Sequence, residues 1–178
     1  VEKYVHSYPN CWRTDKPILY YPLDSWFVKV SEKKERLVAL NNRINWKPKS
    51  TGEGRFGNWL ANANDWNLSR SRFWGIPLPI WRSEDKTETK VIGSIEELKM
   101  EVDLAIEAGL MDTNPFADFV PGDMRPENYD TLDLHKNVVD KLILVGQHGE
   151  AMYRENDLID VWFDSGSMPY AQWHYPFE

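Results

Sequence analysis

The most chemically suggestive run of this chain sets two guanidinium groups beside two aromatic rings. Ser69-Arg70-Ser71-Arg72 leads into Phe73-Trp74-Gly75. Arginine forks suit phosphate and carboxylate, while indole faces suit bases or aliphatic groups. Arg70, Arg72 and Trp74 are therefore candidate contacts for RNA or phosphate, although structural ion pairs would explain the two arginines equally well. Trp162 is the second candidate. It lies in the apolar run 158–163, which reads as a strand. At a strand end its indole would offer an apolar wall to a branched aliphatic side chain. The alternative is an ordinary core tryptophan between Val161 and Phe163. Asp164 and Ser165 follow at the carboxyl end, the side on which open α/β sheets bind ligands.

Other chemistries fail on residue supply. The chain has one cysteine, Cys11, and four histidines in no orienting pattern. A structural zinc site needs four thiolate or imidazole ligands, so none is expected, and neither is a catalytic thiol. Gly52-Glu53-Gly54 and Gly146-Gln147-His148-Gly149 are not phosphate loops, because neither carries a strand into a helix with the required glycine spacing.

Several elements must position these residues. Residues 25–30 alternate and are β-rich, which predicts a strand. Ser31 offers a cap to a short helix over residues 32–42, and residues 45–52 read as loop, Trp46 among them. From Gly54, the residues Phe56, Trp59, Leu60, Ala63 and Trp66 recur at helical spacing and would share one face. The pattern breaks at Asn67. Residues 76–81 hold two prolines and read as extended chain. Ser94-Ile95-Glu96-Glu97 is a capping box, and Ile95, Leu98, Val102 and Ala105 line the helix it starts, with Gly109 as the stop. Residues 114–128 read as loop. A strand over 141–145, a turn over 146–149 and a returning strand from Ala151 would make a hairpin.

Three runs carry a family resemblance. Asp65-Trp66-Asn67-Leu68-Ser69-Arg70-Ser71-Arg72-Phe73-Trp74-Gly75-Ile76-Pro77-Leu78-Pro79-Ile80-Trp81 resembles a segment of the isoleucyl-type class I aminoacyl-tRNA synthetases. Ser7-Tyr8-Pro9-Asn10-Cys11-Trp12-Arg13-Thr14-Asp15 is similar to the run that follows their editing domain. Ile159-Asp160-Val161-Trp162-Phe163-Asp164-Ser165-Gly166-Ser167-Met168-Pro169-Tyr170-Ala171 is similar to a third block of theirs, in the same order. Many bacterial members have further cysteines in these regions; here Thr14 stands at one such place, and the pattern resembles the eukaryotic-type branch.

The resemblance implies an α/β fold: part of a Rossmann-type catalytic domain carrying a mixed α+β connective-peptide insertion. Residues 1–81 would be a post-editing segment and part of the catalytic domain. Residues 82–155 would be an acidic insertion, and 156–178 the return. It also implies an ATP-dependent ligase that uses Mg²⁺, activates L-isoleucine to an adenylate and transfers it to the 3′ end of tRNA(Ile) in the cytoplasm. Trp162 matches the tryptophan that lines the isoleucine pocket in that family. The two phosphate-handling motifs of the family are missing, and the sequence opens on Val1 rather than Met, which together imply an inactive internal fragment. The rival reading is a non-catalytic, aromatic-rich module for carbohydrate or peptide, since nine tryptophans are many for 178 residues.

Charge agrees with the division. Residues 1–90 hold 16 Lys and Arg against 10 Asp and Glu, a net of +6, whereas 91–178 hold 5 against 18, a net of −13. The first half could face a nucleic-acid backbone and the second would be repelled by one. With 42% apolar residues and no apolar run near the roughly 20 residues a membrane span requires, no membrane partner is expected.

Overall fold

The computed structural model describes residues 2–175. It is a mixed α/β structure in which all five strand pairings among the described residues are antiparallel. The amino-terminal part holds β1 (Phe27–Val28), a 3₁₀ turn (Val30–Lys33), α1 (Lys34–Asn41), a kinked helical stretch (Thr51–Phe56) and α2 (Gly57–Ala61). Two short strands follow, β2 (Trp66–Asn67) and β3 (Ser69–Arg70). Next come β4 (Ile80–Ser83), β5 (Thr89–Val91), α3 (Ile95–Glu107) and two single turns of helix, α4 (Pro126–Tyr129) and α5 (Lys136–Val139). The chain closes with β6 (Ile143–Val145), β7 (Ala151–Arg154), β8 (Leu158–Ile159) and α6 (Val161–Ala171).

The main core lies under a four-stranded sheet of order β5-β4-β7-β6. Trp81 and Met152 from the sheet pack with Val102 of α3 and with Phe116 from the loop beyond it. The Trp81 indole N–H donates to the buried carbonyl of Leu142 at 3.0 Å, so the ring brings no unpaired donor into the core. Here local pattern and structure agree. Ser94 Oγ accepts from the Glu97 amide at 3.1 Å, and the Glu97 carboxylate reaches back to the Gly93 amide at 2.6 Å. Leu98, Val102 and Ala105 are the buried face of α3, and Gly109 at φ 75° ends it. The hairpin of β6 and β7 pairs Val145 with Ala151.

Elsewhere tertiary contacts override the pattern. The helix expected through Trp66 ends at Ala61, where the Asn62 side chain donates to the Asn58 carbonyl, and Trp66 pairs with Val28 in a two-stranded ladder. The strand expected over 25–30 shrinks to Phe27–Val28. Ser31 is not a cap: it sits inside the 3₁₀ turn, and its amide donates to Asp65 at 2.9 Å. Residues 51–56 are helical rather than loop up to Gly52, with a break at Gly54, whose φ and ψ are −96° and −109°. Trp46 lies between elements but is no free loop residue. Its indole donates to Asn41 Oδ1 at 2.9 Å, and a Cβ at Gly52 would collide with its ring.

The largest correction is at residues 158–163. Only Leu158 and Ile159 are strand; from Val161 the chain is helix. A short apolar run fits either state, and the buried Asp160 decides by accepting the Trp162 amide at 3.3 Å as an N-cap. Among the described residues no helix is long and apolar enough to cross a membrane.

Candidate active-site cleft

Residues 155–160 run beside 68–80 and bring the 65–81 and 159–171 motif runs together. The Ile159 amide donates to Ile76 at 2.7 Å, the Asp160 amide to Leu68 at 2.8 Å, and β3 pairs with β8. Gly75 makes this approach possible. Its φ of 147° and a 3.3 Å clearance between an added Cβ and Leu158 both favour glycine.

Asp160 sits at the centre of the junction, 5% exposed. Its Oδ2 accepts from the Trp66 indole N–H at 3.1 Å and from Arg70 Nη2 at 2.6 Å, while Oδ1 takes the Trp162 amide. Arg70 also donates to the Asn67 and Ser69 carbonyls. Arg70 thus braces a buried carboxylate and supplies its countercharge. Arg72 is exposed.

Beside this junction lies a cleft of about 780 Å³ lined by Trp59, Trp66, Arg70 and Trp162, with Val30 and the turn 62–65. Trp162 stands on the first turn of α6 and is 71% exposed. Asp164 and Ser165 are exposed on the same helix and do not line the cleft. Asp160, absent from the candidates read off the sequence, holds the cleft together. The available signal was an Asp immediately before an apolar run, which is an N-cap pattern.

Trp74 lies apart, 82% exposed, against a second cleft of about 450 Å³ shared with Phe73, His135 and Lys141. Cys11 is half-buried in a turn closed by the Thr14 and Asp15 amides on its carbonyl. Hydrogen bonds from the Thr14 side chain and from the Arg13 and Thr14 amides lower its thiol pKa. Among the described residues no group of three or more His, Cys, Asp or Glu could hold a metal ion.

The family model for class I tRNA synthetases (I, L, M and V) matches residues 13–178. The chain is similar to isoleucine–tRNA ligases of Bacteroides fragilis, at 63% identity over 180 residues, and of Cytophaga hutchinsonii, at 65% over 178 residues. It is 48% identical over 178 residues to that of Clostridium novyi. Each comparison covers 99–100% of this chain but only 15–16% of the relative. These comparisons do not confirm the eukaryotic-type branch. The match leaves no support for a free-standing carbohydrate- or peptide-binding module. A chain matched by the family model over residues 13–178, with the 65–81 and 159–171 motif runs paired side by side, belongs to the class I tRNA synthetases.

Proposed function

We propose that the chain is a segment of an isoleucine–tRNA ligase, and that the cleft between β2 and α6 receives the aliphatic side chain of L-isoleucine. The observation that carries this is the convergence of the Trp66 and Trp162 indoles, with that of Trp59 beside them, on one open cleft. Two aromatic faces suit a branched aliphatic group, which they would hold by area and dispersion. Valine lacks one methylene, worth about 0.8 kcal/mol or roughly a fourfold preference, so selectivity depends on how closely the walls fit. Asp164 and Ser165 are assigned to the same substrate face by their place in the motif alone. Arg72 and Trp74 are assigned to the tRNA 3′ end, since an exposed guanidinium suits phosphate and an exposed indole, set beside His135 and Lys141, suits a base.

The full-length protein would use ATP and Mg²⁺ to make an adenylate and pass the acyl group to tRNA(Ile) in the cytoplasm. Mg²⁺ would supply charge neutralisation at the phosphates. None of the roles assigned above involves the ion. Residues 1–81 and 156–178 would complete a Rossmann-type catalytic domain together with chain outside this segment. Residues 82–155 would be the connective-peptide insertion, a reading supported by one continuous core under the β5-β4-β7-β6 sheet.

The test is Trp162→Ala in the full-length enzyme, read by isoleucine-dependent pyrophosphate exchange. Loss of a large aromatic contact should cost roughly 2–3 kcal/mol, or about a 30- to 150-fold fall in kcat/KM for isoleucine. The KM for ATP should hardly move. Wild-type isoleucine kinetics would remove Trp162 from the pocket.

A further inference from the structure

We infer that Asp160 is a positioning residue that sets the selectivity of the cleft, fixing both aromatic walls with a single carboxylate. The inference rests on the reading of the cleft as an isoleucine pocket. Asp160 is buried and is not among the cleft-lining residues, so it acts on substrate only through others.

Each wall is tied to it by a different atom. The Trp66 ring has one N–H, and that N–H is spent on Oδ2 at 3.1 Å, which fixes how the indole is turned about its own bond to the chain. The Trp162 amide meets Oδ1 at 3.3 Å. That bond sets where α6 begins, and a one-residue shift of the start would rotate the Trp162 indole by roughly 100° around the helix axis. The Asp160 backbone is anchored in turn, its amide donating to Leu68 at 2.8 Å. Arg70 supplies the countercharge at 2.6 Å and lines the cleft itself. Without Arg70 the carboxylate would lack a countercharge to compensate the water it gives up on burial.

Selectivity is the property most exposed to this arrangement. A radial gap of about 0.5–1 Å between wall and methyl group forfeits a quarter to a half of the dispersion contact. The methylene that separates isoleucine from valine is worth only about fourfold. A loosened wall would therefore erase discrimination while the cleft still admits both amino acids.

The test uses the full-length enzyme and pyrophosphate exchange with isoleucine and with valine. Asp160→Asn keeps a good N-cap, so α6 should still form, but it sets an amide NH₂ against the donors of Trp66 and Arg70. The expected result is a rise of about tenfold in KM for isoleucine, a fall of about threefold in the isoleucine-to-valine ratio of kcat/KM, and an ATP KM within about twofold of wild type. Trp66→Phe removes the same hydrogen bond from the other side. The double variant should lose less than the sum of the two single ones, because both changes break the Trp66–Asp160 link. Fully additive losses, or an Asp160→Asn enzyme with wild-type isoleucine KM and selectivity, would overturn the inference. Should Asp160→Asn not fold, Trp66→Phe decides alone, and unchanged selectivity in it also overturns the inference. If Trp162→Ala is impaired while Asp160→Asn is not, only the positioning role falls. If Trp162→Ala is itself wild type, the pocket reading falls and takes this role with it.

Discussion

Trp46 and Trp162 carry the same side chain and have opposite fates. Trp46 falls in a stretch with no periodic pattern, yet its ring lies tilted against Phe56 with centroids 5.3 Å apart, and its N–H meets Asn41. The Asn41 side chain then donates to the Gly52 carbonyl at 3.0 Å, linking α1 to the kinked stretch. Trp162 falls in an apolar run and ends exposed at a cleft. The difference is whether an acceptor waits for the indole N–H, which only the folded chain reveals. Trp46→Phe keeps most of the ring contact but leaves Asn41 Oδ1 buried without its donor, at a cost of about 1–2 kcal/mol. A lower thermal melting temperature with nearly unchanged isoleucine exchange is the expected outcome. An unchanged melt would show that the bond contributes nothing.

At the scale of elements, one guanidinium ties the sheet to the motif runs. Arg154, on β7, has a side chain only 1% exposed and forms an ion pair with Asp140 at the end of α5. Its Nη1 donates to the Leu78 and Asp157 carbonyls at 3.2 and 3.1 Å, reaching both of the segments that join the sheet to the cleft. Burial pushes the Asp140 carboxyl upward, but hydrogen bonds from Lys136 and Arg154 outweigh it and hold the pKa below the ordinary carboxylate value of about 4. A depressed folded-state pKa means stability that is present above the unfolded value and lost as pH falls through the folded one. Stability should therefore decline below about pH 4, and Asp140→Asn should flatten that decline while lowering stability at neutral pH. Urea unfolding of the full-length protein across pH 3–7 measures both. Asp140→Ala leaves Arg154 buried without a carboxylate and should cost roughly 3 kcal/mol.

At the scale of the whole molecule, two regions differ in how much of themselves they bury. The sheet and α3 enclose a continuous core. The amino-terminal arm and α6 instead leave Tyr4, Trp12, Leu19, Tyr20, Trp162 and Trp173 exposed. An exposed apolar surface of this kind marks a contact face, and the chain spans only about 16% of its Bacteroides fragilis relative. The isolated chain is therefore expected to show no isoleucine-dependent pyrophosphate exchange, because positioning and charge stabilisation at the phosphates dominate such chemistry and the motifs that supply them are not in this sequence. It should also bind a hydrophobic dye and self-associate. Exchange above a no-protein control, with contamination excluded, would contradict this.

Local signals sufficed where one short stretch holds both partners of an interaction. The Ser94–Glu97 box, the apolar face of α3, the Gly109 stop and the β6–β7 hairpin are all of this kind, and so is the run of motif residues that identifies the family. Tertiary structure alone decided the turning of Trp66 into a strand. It depends on partners far along the chain, Asp160 for the Trp66 indole and Val28 for the β2 ladder, whose pairing outweighs a local preference worth a few tenths of a kcal/mol per residue. For the same reason a composition-level reading finds Trp162 but not Asp160. The indole advertises itself by type, whereas the carboxylate matters only because three donors from two distant runs meet at it.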